Sequence, residues 1–167
     1  MSVFTEDQIQ QLAQELQGHG GRVLVVPTDV TDRQAVEAMA RTGKPLISTS
    51  GLLGLAPGQV TTEAMAASGH SPRRSEDVLK AAERGVRAMT IRLPPNTHDG
   101  ANGGFAPMII AAAQAKGVSA YIGEGKNRWP AVHRSDAAKL YRLALEKGVA
   151  GARYHAAMIS CADSVES

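Results

Sequence analysis

The 167-residue sequence has a single cysteine, Cys161, which excludes an intrachain disulfide framework and a cysteine-based zinc site. A chain built this way holds together by packing and suits a reducing compartment, so a cytoplasmic location is expected. No apolar run approaches the roughly 20 residues that span a bilayer. Met1 to Asp7 has neither the basic start nor the apolar stretch of a signal peptide. Aromatics are scarce, at 4% of the chain, and neither sign of charge dominates: 18 Lys and Arg stand against 16 Asp and Glu. A nucleic-acid surface would gather its cations on one stripe, whereas here they are scattered and Arg73-Arg74 is too short to count. Neither nucleic acid nor membrane is expected as a partner. His19, His70, His98, His133 and His155 show no metal-ligand spacing such as His-x-x-x-His, so no metal is expected.

What the chain does have is alternation. Thr5 with Gln8 reads as a capping box, and Ile9, Leu12, Ala13 and Leu16 fall on one helical face before Gly18, Gly20 and Gly21. Arg22 to Val26 is a β-branched run suited to a buried strand. Thr31 with Gln34 caps a second helix carrying Val36, Met39 and Ala40. Pro45 to Thr49 reads as a strand, and Gly51 to His70 as loop. Ser71 caps a helix with Pro72 at its first position, ended by Gly85. Val86 to Leu93 reads as a strand closed by Pro94-Pro95, and Asn96 to Gly104 as a mobile loop. Phe105 to Lys116 is predicted helical and Val118 to Ile122 extended. Ser135 starts a helix with Ala137, Leu140, Tyr141, Ala144 and Leu145 on one face, and Arg153 to Met158 is a final strand. Helix and strand repeated about five times with short connections is how a parallel sheet covered by helices is written. The 43% hydrophobic content suits one compact α/β domain over residues 1–167, with 159–167 as a tail.

Two segments carry more specific signals. Val25-Val26-Pro27-Thr28-Asp29-Val30 places an Asp just past a strand's carboxyl end, where it either meets a ligand over the sheet edge or caps the next helix. Lys44-Pro45-Leu46-Ile47-Ser48-Thr49-Ser50-Gly51-Leu52-Leu53-Gly54 ends a strand in three hydroxyls. These segments, with Arg92-Leu93-Pro94-Pro95 and the run Gly117 to Ala138, resemble the short-chain dehydrogenase/reductase superfamily. Residues 1–41 are similar to the adenine-side segment of its single-domain branch. Residues 42–158 resemble the catalytic and substrate-side part of an extended, NAD-dependent epimerase/dehydratase-like member. A truncated or fused chain accounts for the seam near Ala40 to Gly43.

The resemblance implies an incomplete Rossmann-like parallel sheet flanked by helices, with NAD or NADP as cofactor and a hydroxyl or carbonyl compound as substrate. It implies Asp29, Val30, Ser48, Leu93, Pro94 and Pro95 beside the cofactor, and Thr49, with Ser50 and Ser48 as alternatives, at the reacting oxygen. It puts the family's proton-transferring Tyr near Arg73 and its Lys near Asp77. No Tyr-x-x-x-Lys occurs in the chain, since Tyr121, Tyr141 and Tyr154 all lack Lys four residues on. An Arg cannot donate a proton as a phenol does. Arg73 would instead stabilise an oxyanion, oriented by Glu76, or these residues form a solvated first helical turn. Asn127, Arg128, Trp129 and His133 combine amide, cation, aromatic face and imidazole, which suits a polar ligand with a flat part; alternatively, Trp129 and Val132 pack on the last helix.

The glycine turn that would grip a pyrophosphate is missing after a first strand. Gly123-Glu124-Gly125 carries a repelling carboxylate, and Gly100 to Gly104 reads as an anion loop or, more simply, a flexible one. The alternative to a working enzyme is therefore a non-catalytic, partner-binding pseudoenzyme of the same ancestry. An unpaired sheet edge would favour a homo-oligomer or a complementing subunit.

Overall fold

The computed structural model describes residues 41–52, 55, 61–67, 75–100, 103–121, 123–126 and 129–157, together with Asp7, Gln10, Gln11, Gln14, Gln17, Gly18, Gln34, Glu37 and Ala38. The chain divides into two compact units, Met1–Thr42 and Gly43–Ser167. In the first, the described residues from Asp7 to Gly18 and from Gln34 to Ala38 are helical, where the capping signals predict two helices. The strand expected at Arg22 to Val26 lies outside the described residues.

The second unit is built on a three-stranded parallel sheet of β1 (Leu46–Gly51), β2 (Ala88–Leu93) and β5 (Arg153–His155), in the order β1-β2-β5. Helix α1 spans Ala106–Lys116 and α2 spans Arg134–Lys147. The architecture is the expected one, a parallel sheet flanked by helices. In the register Thr49 lies beside Ile91, Ser50 beside Arg92, and Arg92 beside His155.

Alternation along β2 gives the sheet two unlike faces. Met89 and Ile91 join Val132, Ala137, Ala144 and Ala156 in a buried apolar cluster, with Ile47, Leu93, Leu140, Tyr141 and Tyr154 packed against it. The small Ala137 and Ala144, one heptad apart on α2, let that helix lie close on the sheet. Gly148 caps α2 with an N–H to Ala144 O bond of 2.9 Å; a Cβ there would collide with the Met89 sulfur. Leu145, expected on the buried face of α2, is 46% exposed, because the contact seam runs through Ala137, Leu140, Tyr141 and Ala144.

The opposite face of β2 presents Thr90 and Arg92, both fully buried. It is covered by a 3₁₀ helix, Ser75–Arg84, rather than the expected α-helix; the start expected at Ser71 lies outside the described residues. A period of three is visible along it. Glu76, Leu79 and Ala82 are half-buried, while Asp77, Lys80 and Glu83 are exposed, as stacking of i and i+3 in this helix type requires. Gly85, at φ +81°, ends it.

Across the sheet β1, β2 and β5 follow in chain order, with the 3₁₀ helix on the Arg92 face and α2 on the Met89 face.

Three expectations are corrected. Asn96 to Gly104 is not simply loop: Asn96–His98 forms β3, paired in parallel with β4, Ala131–His133. Val118 to Tyr121 forms no strand and pairs with none of the described strands; Val118 and Tyr121 are 62% and 74% exposed. Helix α2 starts at Arg134, with His133 as its N-cap: its Nδ1 accepts from the Ser135 N–H at 3.2 Å. None of the described helices is long and apolar enough to cross a membrane.

The buried hydroxyl of Thr90 makes no hydrogen bond. Desolvating it costs free energy that nothing returns. Thr90→Val is expected to stabilise the protein by about 1 kcal/mol, measured as a higher urea midpoint at unchanged denaturant slope.

Candidate functional site

Ligands of open parallel sheets lie over the carboxyl ends of the strands. At that end of the polar face, one guanidinium organises everything around it. Arg92 grips Glu76 in bidentate fashion, Nε to Oε1 at 2.7 Å and Nη2 to Oε2 at 3.0 Å. Its Nη2 also donates to the Met65 carbonyl, and its Nη1 lies 3.0 Å from His155 Nε2. A guanidinium only donates, so His155 Nε2 accepts and the imidazole carries its proton on Nδ1. Arg153 Nε adds a bond to Glu76 Oε2 at 2.9 Å, and the Ala67 N–H another at 3.3 Å. Glu63 accepts from the His155 backbone N–H at 2.7 Å. One network thus ties segment 61–67, the 3₁₀ helix, β2 and β5 together.

The titration of this cluster follows from its surroundings. Burial works to raise the Glu76 carboxyl, but hydrogen bonds from Arg92, Arg153 and Ala67 outweigh it, so it ends below its ordinary 4.5. His155 is lowered from 6.5 by burial first and then by the charge of Arg92, against opposing pulls from Glu63 and Glu76.

On the other face, near the same end of β1, the exposed Thr49 hydroxyl lies 2.6 Å from the phenol oxygen of Tyr141 on α2. A third group forms around the β3–β4 pair. The rings of His98 and His133 meet edge to face at 5.8 Å, Arg134 is paired with Asp99, and Phe105 meets Trp129 edge to face at 6.1 Å.

The structure separates the residues that the resemblance gathers. Thr49 faces α2, whereas Ser50 and Ser48 fall, by alternation and register, on the face occupied by Arg92. Glu76 is not in a solvated turn: its side chain is 11% exposed and holds Arg92 and Arg153. Pro94 and Pro95 are buried and Leu93 is half-buried. Trp129 leans on Phe105, and His133 serves as the cap of α2. Asp29, Val30, Arg73, Asn127 and Arg128 lie outside the described residues. No cluster of metal-ligating side chains occurs among the described residues. Sequence reasoning missed Arg153, Glu63 and the pairing of Tyr141. For Arg92 a signal existed: a lone cation inside a run that otherwise reads as fully buried needs a carboxylate nearby.

Gly103 and Gly104, both at positive φ, let the loop before α1 fold back on β3. A Cβ on Gly103 would lie 2.8 Å from the Thr97 carbonyl oxygen, and one on Gly104 would meet the Asn96 side chain. The nearby Asp99 carboxylate is itself paired with Arg134. The loop is a backbone packing device, and no pyrophosphate seat is found among the described residues.

No family model matches the chain. It is 47% identical over 139 residues to the uncharacterized protein C2A9.02 of Schizosaccharomyces pombe, covering 75% of this chain and 45% of that one. It is 40% identical over 132 residues to the uncharacterized protein YLL056C of Saccharomyces cerevisiae, covering 74% and 44%. The chain thus spans less than half the length of the curated relatives it matches. Among solved structures it is similar to dTDP-glucose 4,6-dehydratase from Bacillus anthracis in complex with NAD. There the TM-score is 0.55 at 19% identity, over 73% of this chain and 43% of that one. A double mutant of the dTDP-glucose 4,6-dehydratase DesIV from Streptomyces venezuelae, with NAD and DAU bound, gives 0.55 at 21%, over 73% and 41%. The fold is Rossmann-like.

Removing the Arg92 charge leaves Glu76 buried against a single remaining cation. Arg92→Met is expected to cost about 3–5 kcal/mol of stability, read by chemical unfolding, and Glu76→Gln less. Both Glu76 and His155 bind protons more weakly in the folded chain than in the unfolded one. Stability is therefore full above pH 6.5 and falls on acidification, first through His155 below 6.5 and then through Glu76 below 4.5. His155→Gln should flatten the decline between about pH 7 and pH 5; a slope equal to the parent's would refute this account.

Proposed function

We propose that the chain carries the catalytic-strand and substrate-side part of an NAD(P)-dependent oxidoreductase or epimerase/dehydratase of the short-chain dehydrogenase/reductase superfamily. Its substrate is a small molecule bearing a hydroxyl or carbonyl group. The observation that carries this reading is Thr49: an exposed hydroxyl near the carboxyl end of a parallel strand, in a fold shared with NAD-complexed dehydratases. There it donates a hydrogen bond to a substrate oxygen, an interaction worth most where charge develops on that oxygen. In this reading Arg73 stabilises the same oxygen and Ser50 lies one residue on. Asn127, Arg128, Trp129 and His133 select the rest of the substrate. The cofactor assignment rests on the likeness in fold to NAD-complexed dehydratases.

Helix α1 favours a second reading, a partner-binding chain without turnover. Met108, Ile109 and Ile110 are 60%, 46% and 56% exposed, and the helix buries none of its residues. An apolar helix in that state suits a second copy or a complementing subunit.

Calorimetric titration with NADH and NADPH separates the two readings. The enzyme reading expects saturable binding of one nucleotide, and no heat from either at millimolar concentration removes it. In any carbonyl reduction found, Thr49→Val should lower turnover by about 10²- to 10³-fold while cofactor affinity is kept. Light scattering that shows a monomer at every concentration counts against self-association.

A further inference from the structure

Thr49 and Tyr141 are 92 residues apart in sequence, yet their hydroxyl oxygens lie 2.6 Å apart. At that distance one O–H donates and the other oxygen accepts. Two hydroxyls bring two protons and the shared bond uses one, so one proton and several lone pairs stay available. Among the described residues neither hydroxyl has another partner. Tyr141 packs its ring against the apolar cluster, which fixes the phenol, while Thr49 is exposed, which leaves the pair open to a ligand. The pair also sits near the carboxyl end of β1, the edge over which open α/β sheets take ligands.

From these features we propose that the Thr49–Tyr141 pair is the seat of the substrate's reacting oxygen. With the Thr49 O–H donated to the phenol oxygen, the phenol O–H donates to a ketone, aldehyde or secondary-alcohol oxygen. This deepens, and rests on, the reading that Thr49 meets substrate. It adds Tyr141 as the second contact and names the ligand chemistry. The phenol reaches the oxygen from α2, on the apolar face, rather than from the segment after β1 where the resemblance places Arg73. The neighbouring cations of α2 are committed elsewhere: the Lys139 ammonium is held by Asp136 and the Arg142 guanidinium by Glu146. The pair therefore acts as a hydrogen-bond donor with Thr49 as its support.

The test labels the tyrosines with carbon-13 at the phenolic carbon, so that the signals of Tyr121, Tyr141 and Tyr154 report on each hydroxyl. Tyr141→Phe assigns the relevant signal. Diacetyl and cyclohexanone serve as carbonyl probes, each titrated with and without NADH. The expected result is a saturable shift of the Tyr141 signal alone. Thr49→Val should weaken the probe's affinity about fivefold, the loss of one modest hydrogen bond, and Thr49→Ser should restore it. Thermal unfolding of each variant separates loss of binding from loss of fold. A Tyr141 signal that neither probe moves, or that moves equally in Thr49→Val, overturns the proposal and leaves the pair as a structural anchor. If NADH fails to bind while the Tyr141 response persists, the cofactor reading fails and the oxygen seat stands.

Discussion

A guanidinium with no solvent exposure in the middle of a sheet has to be matched nearly bond for bond, because an unpaired charge there would cost several kcal/mol. Arg92 meets that demand by recruiting three separate parts of the chain. Glu76 comes from the 3₁₀ helix, the Met65 carbonyl from segment 61–67, and the His155 imidazole from β5. Each recruitment is also a positional constraint. Fixing Glu76 fixes the helix over β1 and β2, and Glu63 then secures β5 through the His155 N–H. The polar face is therefore held by charge-assisted bonds that need correct geometry, while the other face is held by apolar area, which tolerates more.

That asymmetry bears on the chemistry. Because the 3₁₀ helix and α2 cover opposite faces of the sheet, β1 meets different neighbours above and below. Ser48 and Ser50 look toward the Arg92 face, and Thr49 looks toward α2. A single strand end thus presents hydroxyls to two environments, one occupied by a saturated ion network and one bearing a phenol. The network is closed: Glu76 accepts four hydrogen bonds, which leaves little capacity to orient anything else. The hydroxyl pair keeps a proton to give.

Much of this was legible in the sequence, for reasons that also mark the limits. The helix–strand alternation, strand β2 and helix α2 announced themselves because their apolar residues follow a period set by local geometry. Strands β3 and β4 did not, since Asn96-Thr97-His98 has no hydrophobic alternation and pairs with residues more than thirty positions away. Val118 to Tyr121 failed in the opposite sense: its side chains suit a strand, but a strand exists only where a partner edge is offered. Tyr141 was legible as a face of α2 and illegible as a hydroxyl, because periodicity reports the direction of a ring and not what its oxygen meets. The closure of the Glu76 network had the same character. It depends on Arg153, 77 residues away, and spacing carries no information at that range.

The two requirements of dinucleotide chemistry are physically separable. Gripping a pyrophosphate takes several backbone N–H groups converging at a glycine turn ahead of a helix. Polarising a reacting oxygen takes one or two hydroxyls at a strand end. Glycine density alone does not meet the first requirement. Gly103 and Gly104 spend their freedom on close approach to β3. In the proposed reading Thr49 with a phenol in support serves the second requirement, without the Tyr-x-x-x-Lys spacing that the resemblance would demand. A phenol delivered from a distant helix has no obligatory lysine four residues on, so the missing motif does not mean a missing donor. What it removes is the cation that would help such a phenol to ionise. Any chemistry at this site would then lean on hydrogen-bond donation to the oxygen more than on transfer from a preformed phenolate.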